Sequence, residues 1–130
     1  MSTETLSAPG LKLELEEKAE ETIVRCSGKI TAESAEMFQN EIRGRLIPES
    51  RGKGVPVNCR IVVDLSNVSY IDSIGLGALV GVWTAGQRRA CDVEIANFSP
   101  RVESLLSVTK LDQVFKKVVN VFGGSENPKS

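Results

Sequence analysis

Residues 61–86 read IVVDLSNVSYIDSIGLGALVGVWTAG. The segment opens on a continuous aliphatic, β-branched run over 61–65, the kind of strand buried on both faces of a parallel sheet. A short polar connector follows, and Asp72 and Ser73 then stand immediately before an apolar stretch rich in glycine. The pattern predicts a strand, a turn and a helix running from Ser73 to about Arg89. At the N-terminus of that helix the Ser73 hydroxyl can cap free backbone N–H groups, and a phosphate would be accommodated at the same place. Asp72 can serve equally as a cap, so the local sequence leaves the job of Ser73 open.

Four glycines, Gly75, Gly77, Gly81 and Gly86, fall in the predicted helix. Each costs about 0.8–1 kcal/mol relative to alanine in a helix interior, so their presence calls for a reason. Gly77 and Gly81 share one face, while Leu76, Leu79, Val80 and Trp83 form another suited to packing on a sheet. The glycines either let backbone approach backbone or leave a shallow surface near Ser73 for another protein. A dinucleotide fingerprint fits poorly. Val80 occupies the third glycine position, and the connector after the strand is too long for the tight first turn. There is no GxxxxGK[ST] phosphate loop either.

Working outward, residues 11–16 alternate Leu11, Leu13 and Leu15 with Lys12, Glu14 and Glu16, the period-two signature of a strand with one wet face. A charged turn over 18–21 and a second strand over 22–27 complete an antiparallel hairpin. Thr31 is a predicted N-cap, with Glu33 and Glu36 in the first helical turn and Ala35, Phe38, Ile42 and Leu46 on one face. That helix stops before Pro48. Residues 49–58 form a Gly- and Pro-rich connector carrying Arg51 and Lys53, read as solvated loop. A strand over 91–95 comes next. Ser99 followed by Pro100 predicts an N-cap and first helical position, opening a helix through Val102, Leu105 and Leu106. Residues 118–122 read as an edge strand. The expected organisation is one domain over 11–122 between flexible tails at 1–10 and 123–130. Its fold class is α/β, with a mixed, mostly parallel sheet, an N-terminal hairpin and helices packed against it.

Composition narrows the chemistry. The 130-residue chain has 16 Lys and Arg against 17 Asp and Glu, so no global basic field points to nucleic acid. No apolar run approaches the roughly 20 residues that span a bilayer, and the first residues lack the character of a secretory signal, so the expectation is a cytoplasmic protein without membrane insertion. Cys26, Cys59 and Cys91 lie far apart without CxxC spacing and are expected to be reduced, buried small hydrophobes. The chain contains no histidine, which removes Ser-His-Asp and Cys-His nucleophile activation and the usual zinc and non-haem iron sites. No enzyme activity, metal or cofactor is expected.

Three stretches together resemble the STAS domain of bacterial anti-sigma factor antagonists. They are VVDLSNVSYIDSIGLGALVG at 62–81, VEIANFSPRVESLLSVTKLDQVF at 93–115 and SGKITAESAE at 27–36, and the similarity extends over about residues 11–121. The resemblance implies a regulatory binding module. Its partner would be an anti-sigma factor that is also an ATP-binding serine kinase; the unphosphorylated antagonist binds that partner and frees a sigma factor, and a PP2C-type phosphatase restores it. By position the phosphoacceptor is Ser73. The implied partner-binding residues are Gly28, Lys29, Ile30, Thr31, Ser34, Asp72, Ser73, Ile74, Gly75 and Gly77. Ile74 stands where the family usually has Ser or Thr, and Lys29 and Thr31 where it commonly has acidic residues. An alternative within the same resemblance is a STAS subunit of a larger signalling or transporter assembly, without phosphorylation.

Overall fold

The computed structural model describes residues 2–19, 21–46, 59–89 and 91–109. Along these the elements are β1 (Ser2–Ala8), β2 (Leu11–Glu17), β3 (Thr22–Ile30), α1 (Ala35–Gly44), β4 (Arg60–Ile71), α2 (Ser73–Arg88), β5 (Asp92–Ala96) and α3 (Pro100–Thr109). The connector at 49–58, the strand expected at 118–122 and the C-terminal tail lie outside the described residues.

The five strands form one sheet in chain order, β1-β2-β3-β4-β5. It is mixed, as expected, but evenly so rather than mostly parallel among the described residues: β1, β2 and β3 pair antiparallel, and β4 and β5 add in parallel. Both parallel crossovers advance in the same direction along the sheet, so right-handedness puts α1 and α2 side by side on one face. That face holds the core. Leu13 and Leu15 of β2, Val24 of β3, and Ile61, Val63 and Leu65 of β4 are buried there with Phe38 and Ile42 of α1 and Leu79 and Val82 of α2.

The alternation in β4 corrects one expectation. Val62 and Asp64 are only half-buried between the fully buried Ile61, Val63 and Leu65, so this strand is not enclosed on both faces. The outer face is polar instead. Arg25 pairs with Glu16 at 2.8 Å across β2 and β3, and Arg60 of β4 joins Glu21, just before β3, and Asp92 and Glu94 of β5.

A second correction concerns the length of β4. The predicted connector after residue 65 continues as strand to Ile71. Buried positions change spacing there, from every second residue at 61, 63 and 65 to every third at 65, 68 and 71. The register explains the change. Arg25 lies opposite Asp64 but Ser27 lies opposite Asn67, and Gly28 faces Val68 while Lys29 faces Tyr70, so β4 carries an extra residue at each of two irregularities.

The N-terminus supplies a third. Residues 2–8, expected to belong to a tail, form β1 in register with β2, with Leu6 opposite Leu13. Pro9 and Gly10 reverse the chain between them, Gly10 taking φ +79°. The segment STETLSA offers only Leu6 and Ala8 as apolar residues, so its pairing through backbone hydrogen bonds left little trace in hydrophobic periodicity. The Pro9-Gly10 dipeptide was the available signal.

The cysteines correct a fourth. Cys59 and Cys91 form a disulfide with Cα atoms 4.7 Å apart, 32 residues apart in the chain. They immediately precede the aligned pair Arg60 and Asp92, so the parallel register of β4 and β5 brings them together. Cys26 is a free thiol, 1% exposed, and burial pushes its pKa up to about 12.

Candidate functional site

The C-terminal ends of β3 and β4 converge where α1 and α2 begin. Asp72 follows β4 in extended geometry and caps α2: its Oδ1 accepts a hydrogen bond from Gly75 N at 2.7 Å. Its Oδ2 accepts from Ala32 N at 3.2 Å, in the turn before α1. Asp72 N donates to Ile30 O at 3.3 Å. One aspartate therefore ties together the two strand ends and the two helix starts.

Gly75 makes that junction sterically feasible. A Cβ at Gly75 would overlap the carbonyl oxygen of Ile30, so the first turn of α2 can rest against the end of β3 only without a side chain. Gly28 has a matching role one layer back, at φ +111° and against Gly10 O.

The turn between β3 and α1 differs from its expected form. Thr31 does not open the helix; α1 begins at Ala35, with Ser34 at the cap position. Ser34, fully buried, donates from Oγ to Lys29 O at 2.9 Å and accepts from Thr31 N at 3.1 Å. Thr31 Oγ1 accepts from Glu33 N at 3.3 Å. These local bonds form a compact turn over 29–34 instead of an additional helical turn. Short polar side chains that bond their own backbone are read from sequence as caps or as turns with equal ease.

Ser73 is left without a structural task. It is the first residue of α2, one position after the cap, and is exposed. Its hydroxyl makes no hydrogen bond among the described residues, and the carboxylate beside it is engaged by two N–H groups. Ile74 follows at 55% exposure, and Tyr70, three residues before Ser73, is 41% exposed. The helix N-terminus contributes partial positive charge at this point.

The ten residues singled out in the sequence thus separate by depth. Lys29, Ser73, Ile74 and Gly77 are exposed, and Thr31 and Asp72 half-buried, at one end of the domain. Ile30, Ser34 and Gly75 are buried and shape that end from beneath, and Gly28 is half-buried at the crossing with Gly10. Tyr70 was missed in the sequence. Its signal is a lone aromatic residue in a stretch that reads as polar connector.

Chemically the site presents a hydroxyl but does not activate it. Asp72 is committed to backbone donors, and the chain has no histidine to act as base. Among the described residues no cluster of three or more His, Cys, Asp or Glu could hold a metal ion. No helix there is long and apolar enough to cross a membrane.

Comparison with known proteins agrees with this architecture. A STAS-domain containing protein of Pseudomonas aeruginosa (strain UCBPP-PA14) is 37% identical over 57 residues, 44% of this chain and 56% of that protein. The anti-sigma-B factor antagonist of Listeria monocytogenes (serovar 1/2a) is 34% identical over 61 residues, 47% of this chain and 53% of that protein. The matched segment spans about half the length of these curated relatives. Among solved structures, the anti-sigma factor antagonist SpoIIAA in its unphosphorylated form superposes with a TM-score of 0.57 at 18% identity, over 88% of this chain and 99% of that one. It shares the fold. The STAS domain model matches residues 12–124, which covers the hairpin, both crossovers and the Asp72-Ser73 junction, and the chain belongs to the STAS domain family.

Proposed function

We propose that this domain is an anti-sigma factor antagonist, a non-enzymatic cytoplasmic regulator that binds an anti-sigma factor with ATP-dependent serine kinase activity and releases a sigma factor. Phosphorylation of Ser73 by that partner ends the interaction, and a PP2C-type phosphatase restores it. The observation that carries the reading is an exposed Ser73 hydroxyl, free of hydrogen bonds among the described residues, on a helix start held by Asp72. The Listeria relative's name and the family match support it.

The energetics of the switch are local. A phosphate adds a charge of roughly −1.5 to −2. In the free domain the start of α2 favours that charge by about 0.3–1 kcal/mol, offsetting part of the repulsion from Asp72. Within an interface the charge must be desolvated, at a cost of several kcal/mol unless a cation meets it. A loss of about 3–4 kcal/mol lowers affinity between a hundred- and a thousand-fold, since every 1.4 kcal/mol is tenfold. No refolding is required.

The test is phosphotransfer from labelled ATP by candidate anti-sigma kinases of the same organism. Wild type should take up label and Ser73→Ala should not. Ser73→Asp should bind the kinase at least tenfold more weakly than wild type. Label persisting in Ser73→Ala would move the acceptor elsewhere, and equal binding of Ser73→Asp would end the proposal.

A further inference from the structure

A groove of about 330 Å³ runs between α1 and α2, lined by Arg43 from α1 and by Gly77, Gly81, Thr84 and Arg88 of α2, with Arg89 just beyond it. We infer that this groove docks an acidic segment of the partner protein. The inference rests on the reading above, that the domain binds an anti-sigma factor, and adds a second contact of defined chemistry.

Charge is the first argument. Arg25, Arg45 and Arg60 each meet carboxylates. Arg43, Arg88 and Arg89 are exposed and meet none among the described residues. The last-turn positions of Arg43 and Arg88 suit the negative ends of their helices. That accounts for a basic residue on each helix, but not for three converging on one groove. A guanidinium presents a planar fork of donors to carboxylates, so the complementary surface carries Asp or Glu. The net charge of −1 and the confinement of the basic cluster to one groove argue against nucleic acid.

Gly77 is the second argument. Gly75, Gly81 and Gly86 each have a neighbour that a Cβ would strike: Ile30 O, Gln39 Nε2 and Val93 Cγ2. A Cβ at Gly77 would meet nothing within 4 Å. Packing within the free domain therefore does not require this glycine in a helix interior. Close approach of another main chain would.

Geometry supplies the third. From Gly77 to Arg88 the helix advances about 16 Å, the length of a peptide segment and far beyond a single phosphate group. Ser73, Gly77, Thr84 and Arg88 recur near multiples of the helical repeat, so the groove continues the face on which Ser73 is presented. A partner that brings a kinase site to Ser73 can lay an acidic segment along the rest of that face.

The experiment measures affinity for the anti-sigma protein at 50 and 300 mM NaCl, using wild type, Arg43→Glu/Arg88→Glu, Arg43→Gln/Arg88→Gln and Gly77→Gln. Thermal unfolding of each variant guards against misfolding, and the glutamine pair replaces the reversal if the reversal unfolds. The charge-reversed pair should bind at least tenfold more weakly at 50 mM salt, Gly77→Gln at least fivefold more weakly, and the wild-type salt dependence should flatten in both arginine pairs. Folded arginine variants that bind within twofold of wild type overturn the groove and leave the proposed function standing. Failure of wild type to bind any anti-sigma protein overturns both. Saturable amide shifts at Gly77 and Gly81 on titration of the free domain with inorganic phosphate would assign the groove to a small anion and overturn the inference.

Discussion

Asp72 and Ala32, forty residues apart in the chain, are joined by a hydrogen bond from Ala32 N to the Asp72 carboxylate at 3.2 Å. The other oxygen of the same carboxylate caps α2 through Gly75 N at 2.7 Å. Removing both acceptors in Asp72→Ala should lower stability by about 1–2 kcal/mol, the upper part of the range for a lost N-cap. Asp72→Asn keeps one carbonyl oxygen, which is a good cap, and should cost less than half as much. Urea unfolding of the two variants checks this. Equal losses would mean that the junction depends on charge and not on the count of acceptors.

Gly75 and Gly77, two residues apart in one helix, should respond in opposite directions. Gly75→Ala forces a Cβ onto the Ile30 carbonyl and should destabilise by about 1–3 kcal/mol, the range for overpacking in a packed interior. Gly77→Ala enters open space and gains helix propensity, so it should stabilise by up to about 1 kcal/mol. Thermal and urea midpoints of the pair decide it; a destabilised Gly77→Ala would reveal a packing role for Gly77 that the free domain does not display.

The positions legible in the sequence were those where burial alternates regularly or where a cap bonds its own helix. Leu11, Leu13 and Leu15 gave β2, and Ser99 did as read: its Oγ accepts from Val102 N at 3.2 Å and also donates to Val68 O at 2.6 Å. What escaped depended on long-range pairing. The two irregularities opposite β3 broke the period of β4, so residues 66–70 resembled a connector. β1 is held mainly by backbone bonds to β2. Cys59 and Cys91 meet only through strand register, which no spacing rule encodes. At the site, Asp72 and Ser73 were correctly placed at the start of α2, but which one capped depended on a single residue of phase. The basic groove could not be read at all, because Arg43 and Arg88 become neighbours only when α1 and α2 pack side by side.

The disulfide makes stability depend on redox conditions. Closing a loop of 32 residues lowers the entropy of the unfolded chain, so reduction should cost about 2–4 kcal/mol. The reduced domain should nonetheless stay folded. A Cys91 thiol would lie 3.0 Å from Leu46 O, an acceptor near the end of α1, and the core around it does not involve the bridge alone. Urea unfolding with and without dithiothreitol measures the difference. Alkylation of the native, unreduced chain should label no cysteine, because Cys26 is 1% exposed and its thiolate is suppressed by burial. Rapid labelling at Cys59 or Cys91 without reductant would show that the bridge is absent in solution.

Stability should also fall in acid, with Asp64 as one contributor. Burial on the half-covered outer face pushes its pKa up, but this is outweighed by the Ser66 N–H at 2.9 Å, by the Ser66 and Asn97 side chains and by the charge of Arg25, so the carboxyl is held below the usual carboxylate range. Such a group binds its proton less tightly folded than unfolded. Its contribution is therefore complete above the unfolded value of about 4 and is lost as pH falls through the lowered folded value. Glu16, hydrogen-bonded by Arg25, shifts in the same direction. The thermal midpoint of wild type should decline steadily from about pH 5 to pH 3, and Asp64→Asn should start lower but decline less over that window. Parallel pH profiles for the two proteins would show that Asp64 ionises alike in both states, and that acid lability arises from the other carboxylates.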